Sequence, residues 1–455
     1  MYVCGPTVYD ETHIGHARCY VAFDVIRRFF EYLGYNVKMV VNITDIDDKI
    51  IRRAWEEKVS WREISEKYTK DFFEAIKILN IKPATHYPKA SEHIKDMINM
   101  IEKLISKGYA YVAEDNTVYL SIEKIPKYGE LSGQKIEELI AGARVEPGPY
   151  KRNPLDFALW KPWKPREPWW DTPWCPGRPG WHTECVIMSV KYLGEVFDIH
   201  GGGQDLIFPH HENELAIAKA FLGMGKFARY WIHVGLLMIR GEKMSKSLHN
   251  IIPVREIVRK YDPELVRACL AVVHYRKPLN FSFELLEELK PNIKTMYRAY
   301  YYLAGIIRRR GLDVEGILEE KEAKIPQNFM QIVKEFEEAM CQDFNTSKAF
   351  SSIIAYAKQI IARLGELEKL GEQELVGILS KYLRMCDVLG LLYKRIRIAN
   401  PYKVLEKLID LILDLRCDLR AQRRWDIADR IRDILKVVGV EVEDRRDRSY
   451  WSWSI

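Results

Sequence analysis

Apolar residues recur at every fourth position across Val21, Val25, Phe29 and Leu33, the spacing that lines one buried face of a helix. Gly34 follows directly and suits the residue that ends such a helix in a left-handed conformation. The next apolar run, Val37-Lys38-Met39-Val40-Val41-Asn42-Ile43, is rich in β-branched residues and predicts a buried strand. Strand, helix and strand then form one βαβ unit, and the turn His13-Ile14-Gly15-His16 opens its helix, where free backbone N–H groups meet phosphate well.

Farther along, the pattern changes character several times. The nucleotide-binding half runs to about residue 110 and resumes near 176, with an insertion between. Prolines and tryptophans crowd from Pro147 to Pro179, which predicts ordered loops and extended pieces rather than long helices, with the aromatics mainly in core packing. A short mixed segment covers Asp262 to Phe283, and from about 285 to 400 the pattern is persistently helical, which predicts a bundle. The last fifty-odd positions carry Arg416, Arg420, Arg423, Arg424, Arg430, Arg432 and Lys436 among acids at helical spacing, then Tyr450, Trp451 and Trp453. The fold class is therefore α/β, a Rossmann-like nucleotide-binding domain with a parallel sheet, an insertion, a helical bundle and a small C-terminal domain. The expected divisions are 1–110, 111–175, 176–235, 236–285, 286–400 and 401–455. There is no internal repeat and no low-complexity tract.

Composition narrows the classes. A chain of 455 residues with 47% hydrophobic content supports about two to four domains. No run of eighteen apolar residues occurs, and no basic segment followed by an apolar one opens the chain, which argues against membrane insertion and secretion and predicts a cytoplasmic address. Eight irregularly spaced cysteines do not resemble a disulfide framework. A net charge of +6 is compatible with an RNA partner without requiring one.

The second chemical signature is Lys243-Met244-Ser245-Lys246-Ser247, in which two ammonium groups three residues apart follow Gly241, a composition that suits a loop closing over polyphosphate. Alone, such a loop is ordinarily solvated surface, as is a pair of histidines in a turn. Their order, separation and flanking elements together point to one triphosphate gripped by both.

On these residues the chain resembles the cysteinyl-tRNA synthetases, a family of class I aminoacyl-tRNA synthetases, from Met1 to about residue 450. The most specific stretches are Tyr2-Val3-Cys4-Gly5-Pro6-Thr7-Val8-Tyr9-Asp10, Asn42-Ile43-Thr44-Asp45-Ile46-Asp47-Asp48-Lys49, Gly180-Trp181-His182-Thr183-Glu184-Cys185, His200-Gly201-Gly202-Gly203 and Pro209-His210-His211-Glu212-Asn213-Glu214. Family members usually carry a further segment ahead of this start, so packing around the first strand is the point to check. The resemblance implies ATP-dependent formation of cysteinyl-adenylate from L-cysteine and transfer to the 3′ end of tRNA(Cys) by a protein expected to be a monomer. His13 and His16 would hydrogen-bond the phosphates, and Lys243 and Lys246 would neutralise departing pyrophosphate, with Mg2+ bridging phosphate oxygens. It further implies that Thr7, Gly15, Gly201, Gly202, Gly203, Asp205 and Lys246 bind ATP, and that Gly5, Thr44, Trp181 and His200 line the amino-acid pocket. The insertion would approach the acceptor end of tRNA, with Lys151, Arg152, Lys161, Lys164 and Arg166 able to meet phosphate; residues 236–285 would contact the stem and 401–455 the anticodon region.

The resemblance also implies one Zn2+ per chain held by Cys4, Cys185, His210 and Glu214, a donor set that suits zinc better than magnesium or calcium. His210 and Glu214 share a face if a helix begins there, while neighbouring His211 and Glu212 leave the choice within the cluster open by a residue. A shape-fitted pocket separates cysteine from serine by only about 1–3 kcal/mol, so direct binding of the substrate sulfur to the metal is expected to do the selecting. Two other readings are a cysteine ligase of the same fold acting on an amino sugar, and a non-catalytic tRNA-binding paralogue. The basic helical C-terminal region argues against the first, and the intact histidine, lysine and metal positions against the second.

Overall fold

The computed structural model describes residues 1–134, 149–244, 248, 250–312, 314, 325–393, 401–445 and 448–453. Residues 1–393 form one compact unit and 394–455 a second.

In the first unit, β1 (Tyr2–Val3) and β2 (Val40–Val41) flank the helix Ile14–Tyr32. Val21, Val25 and Phe29 are buried along that helix, while Leu33 sits past its end and is exposed; Gly34 follows with a φ of 94°. The strand expected over 37–43 is shorter. Only Val40 and Val41 pair in a ladder; Val40 and Ile43 make single bridges to His86 and Lys89, and Thr44 bridges to Thr7.

The insertion is more regular than its proline content suggests. β3 (Ala110–Val112), β4 (Val118–Leu120), β5 (Phe157–Pro162) and β6 (Gly177–Pro179) form an antiparallel sheet in that order. Trp160 is fully buried with Trp174 edge-on, whereas Trp163 and Trp169 are about half exposed, so the aromatics divide between core and surface. Several of its expected phosphate-facing cations are engaged within the protein: Lys151 and Arg152 lie over the Tyr119 and Tyr111 rings, and Lys161 pairs with Asp48.

The chain then returns through the helix Trp181–Leu193 to β7 (Val196–Gly203), the helix Glu212–Leu222 and β8 (Phe227–Val234). The resulting sheet has order β2-β1-β7-β8 and is parallel throughout. Tyr2 and Val3 are wholly buried between β2 and β7, which answers the question of packing at the first strand. A smaller sheet of β9 (Leu237–Ile239), β10 (Glu242–Lys243) and β11 (Leu279–Phe281) leads to the helices Phe283–Arg309, Gln327–Cys341, Thr346–Ala362 and Glu372–Val388, whose apolar faces share the main core.

The second unit packs the helices Pro401–Ala421 and Trp425–Val437 and the hairpin of β12 (Val440–Arg445) and β13 (Arg448–Trp453) around Ile409, Leu413, Leu435 and Val440. Arg416, one of the cations at helical spacing in the stretch that the resemblance assigns to the anticodon region, is buried and donates to Asp444 and to the Ala428 carbonyl. Trp451 Nε1 donates to Asp410 at 2.8 Å. No helix among the described residues is long and apolar enough to cross a membrane.

Candidate active site and metal centre

The C-terminal ends of parallel strands open onto a cleft of about 320 Å³, the place where open α/β sheets bind ligands. Cys4 follows β1 directly, and its N–H donates to the Gly201 carbonyl on β7 at 2.9 Å. Gly5 is forced by close approach: a Cβ there would lie 1.5 Å from the Asn42 carbonyl oxygen.

The histidine turn is built by its own helix. His13 is the N-cap of Ile14–Tyr32, its Nδ1 accepts from the His16 N–H at 3.2 Å, and the two rings stack at 3.6 Å. The turn is stitched to the far side of the lysine signature, since Ile14 N–H donates to the Ile252 carbonyl and Val254 N–H to that of Thr12. Met244 also reaches it, its terminal methyl lying over Gly15.

Of the expected site residues, Cys4, Gly5, Thr7, His13, Gly15, His16, Thr44, Trp181, Cys185, Gly203, Asp205 and His210 line the cleft. Glu214 and His200 are fully buried beside it. Gly201 and Gly202 face packing rather than the cleft, for added Cβ atoms would meet the Phe23 ring and the Leu206 and His211 side chains. Lys243 is placed by its backbone in β10, paired with Met238, and Lys246 lies outside the described residues.

The four expected metal ligands converge. Single ligand atoms of Cys4, Cys185, His210 and Glu214 all lie within 4.8 Å of one another, although Cys4 and Cys185 are 181 positions apart. The sulfurs are 3.9 Å apart, Cys185 Sγ is 3.5 Å from His210 Nε2, and His210 Nε2 is 2.8 Å from Glu214 Oε1. A second grouping shares two of these residues and adds His200 and His211. Glu212 is excluded from either, because its carboxylate accepts from the N–H groups of Gly129, Leu131 and Ser132.

Burial and mutual contact shift the protonation of all four groups. Burial drives the Cys4 thiol well above its usual value, whereas for Cys185 burial is outweighed by hydrogen bonds with Cys4 and His210 and the thiol is lowered. Burial alone would lower His210 and raise Glu214, yet Glu214 and Cys185 bring His210 up to about 10, and His200 and then His210 hold Glu214 well below the carboxylate range. Deprotonated, the two thiols, the imidazole and the carboxylate would offer a borderline-soft ion its preferred donors. Around them, His210 Nδ1 meets His182 Nδ1 at 2.9 Å and His211 Nδ1 meets His233 Nε2 at 2.8 Å, outer partners that orient the inner rings.

Residues not singled out from sequence also matter here. Tyr9, Cys19, Lys49 and Met244 line the cleft, and Lys49 Nζ sits 5.3 Å from the centre of the Tyr9 ring. Glu184, fully buried, accepts from Thr44 Oγ1 at 2.8 Å. Burial and then the neighbouring Cys185 push its carboxyl well above the usual range. Lys49 and Glu184 fall inside the specific stretches; His233 carries no local signal at all.

Fold and site together define a class: the chain belongs to the class I aminoacyl-tRNA synthetases. The profile of the tRNA synthetases class I (C) catalytic domain matches residues 1–291, and that of the DALR domain matches residues 335–393. Within the class, the chain belongs to the cysteine--tRNA ligase family. It is 50% identical over 458 residues to the cysteine--tRNA ligase of Pyrobaculum islandicum, covering 99% of this chain and 94% of the relative. It is 47% identical over 454 residues to that of Thermococcus onnurineus, with the same coverage of each. Among solved structures it shares its fold with Mycobacterium tuberculosis methionyl-tRNA synthetase in complex with methionyl-adenylate, at a TM-score of 0.58 and 15% identity over 85% of this chain and 89% of that one.

Proposed function

We propose that the protein activates L-cysteine with ATP and Mg2+ to cysteinyl-adenylate and transfers the cysteinyl group to the 3′ end of tRNA(Cys). The observation that carries this reading is the convergence of Cys4, Cys185, His210 and Glu214 beside a cleft that His13 and His16 also line. The four residues would hold Zn2+, which when bound supplies a soft Lewis-acidic seat that prefers a thiolate to a neutral hydroxyl and so separates cysteine from serine.

Chemistry at phosphorus needs no protein nucleophile. The cysteine carboxylate attacks the α-phosphorus of ATP and pyrophosphate leaves, so the protein's part is alignment and charge stabilisation. His13 and His16 donate to the phosphates, their rings held parallel by the cap contact. Gly15 keeps the helix start bare of a side chain, and Lys243 and Lys246 meet the departing pyrophosphate. Thr7, Gly203 and Asp205 serve the nucleotide, and Gly5, Thr44 and Trp181 the amino acid, with His200 behind them.

For the tRNA, the insertion would approach the acceptor end, residues 236–285 the stem and residues 401–455 the anticodon region. The match to a DALR domain at 335–393 supports an RNA acceptor over an amino sugar. Cysteine-dependent exchange of pyrophosphate into ATP, followed by transfer to purified tRNA(Cys), tests the whole reading: exchange without transfer would favour the amino-sugar ligase, and neither would remove the activity.

A further inference from the structure

A chain of hydrogen bonds runs from the backbone of Gly5 past the cleft wall at Asn42 and Thr44 to the buried carboxyl of Glu184, which accepts at its end through Oε1. Gly5 N–H donates to Asn42 Oδ1 at 2.7 Å. A backbone N–H can only donate, so this contact fixes which end of the Asn42 amide is oxygen and turns its Nδ2 toward Thr44. Asn42 Nδ2 donates to Thr44 Oγ1 at 3.1 Å, and Thr44 Oγ1 donates to Glu184 Oε1 at 2.8 Å. A threonine hydroxyl has one hydrogen and two lone pairs. Glu184 takes the hydrogen and Asn42 one lone pair, so what Thr44 retains for the cleft is a single lone pair.

We propose that Glu184 is a positioning residue for amino-acid recognition: by holding the Thr44 hydroxyl hydrogen, it makes Thr44 an obligate acceptor and commits that part of the cleft to a ligand ammonium group. The inference rests on the amino-acid-activating reading above and deepens it.

The fold supports this assignment from both ends. Thr44 and Asn42 both line the cleft, whereas Glu184 does not and is 2% exposed, so its carboxyl reaches the ligand only through Thr44. Its other oxygen, Oε2, has no hydrogen-bond partner among the described residues, so no rival contact turns the carboxyl away. Glu184 also precedes Cys185 on the helix Trp181–Leu193. Successive residues on a helix point about 100° apart, so one turn sends Cys185 to the thiol-selecting cluster and Glu184 to the amine-selecting hydroxyl. The distance between those two recognition points is thereby set by a rigid element. Without Glu184 the Thr44 hydroxyl is free to rotate and present its hydrogen to an ammonium, two donors facing each other.

The test uses the full-length, metal-replete protein in cysteine-dependent pyrophosphate exchange. Glu184→Met is expected to raise KM for cysteine about tenfold, the scale of a lost hydrogen bond to a charged group, with KM for ATP and bound metal unchanged. Glu184→Gln, whose amide oxygen still accepts, should restore the wild-type KM. Thr44→Val should raise KM for cysteine similarly, and Glu184→Met should then add nothing on top of it. An unchanged KM for cysteine, equal rises for cysteine and ATP, loss of metal, or additive effects in the double variant would each overturn the assignment. If Glu184→Met does not fold, Glu184→Asp, one methylene too short to reach Thr44, is read by the same criteria. A wild-type protein without cysteine-dependent exchange would remove the activity itself; an active wild type with insensitive Glu184 variants removes only this inference.

Discussion

The terminal methyl of Met244 lies over Gly15, so close that a Cβ added at position 15 would stand 2.7 Å from it. Residues 229 positions apart thereby join the turn that caps the first helix to the segment that opens the lysine signature. The same Cβ would press on the His13 ring at 3.1 Å. Gly15→Ala should therefore lower kcat/KM for ATP in pyrophosphate exchange by about tenfold or more, and Met244→Ala in the same chain should recover part of that loss, because the methyl is the nearer obstacle. No recovery would place the damage at the histidine ring instead.

Cys185→Ser is expected to reduce bound metal and to raise KM for cysteine by at least about a hundredfold, while KM for ATP moves by less than about threefold. On the reading proposed above, removing one thiolate would weaken the ion's seat and leave His13 and His16, the phosphate contacts, in place. Equal losses for both substrates would contradict the separation of roles.

The extent to which the sequence showed all this differs from feature to feature. The helix 14–32 was legible because its buried face repeats locally, and the histidine turn because it caps that helix. The metal cluster was not legible from spacing: its four ligands come from the end of β1, the helix Trp181–Leu193 and the segment at 210–214, and only the folded sheet brings those ends together. Family resemblance supplied what spacing could not. Arg416 shows the opposite failure. It reads as one of several cations at helical spacing, but the hairpin that supplies Asp444 was not foreseen, and a buried arginine with a carboxylate partner looks the same in sequence as a free one. His233 was silent and Glu184, though inside a specific stretch, had no role to read there, since their meaning lies in the partners they meet.

Acid should loosen the site through its neutral histidines. His233 is lowered from 6.5 to about 4, chiefly by burial and then by His200 and Arg276, with Glu214 opposing. Between those values the unfolded chain binds a proton that the folded chain refuses, so the contribution is complete above 6.5 and is lost as pH falls toward about 4. His182 and His211, also held neutral by burial, act with the same sign. Thermal unfolding of the metal-free protein followed from pH 7 down to 4 should show falling stability across that window, less steep in His233→Gln. A stability that rises on acidification would contradict these directions.

Asp24 anchors a buried charge cluster away from the cleft. It pairs with Arg267 and Arg28, and although burial would raise it, the two guanidinium groups hold its carboxyl below the usual range. Arg267 in turn donates to the carbonyls of Leu79, Asn80 and Leu389 and fills the space beside Gly390, where a Cβ would lie 2.2 Å from its Nη2. Asp24→Asn should cost about 3–5 kcal/mol of stability in denaturant unfolding, because it leaves Arg267 buried without a counter-charge. A cost below about 1 kcal/mol would mean that the carbonyls alone suffice.

On the reading proposed above, sulfur is chosen by an ion in the seat of Cys4, Cys185, His210 and Glu214. Cobalt(II) substituted into the metal-free protein reports its own ligands by absorption. Titration with cysteine should add sulfur-to-cobalt charge-transfer intensity, and serine at the same concentrations should add none. Spectra that respond identically to both amino acids, or a protein that binds no cobalt at this seat, would contradict the account.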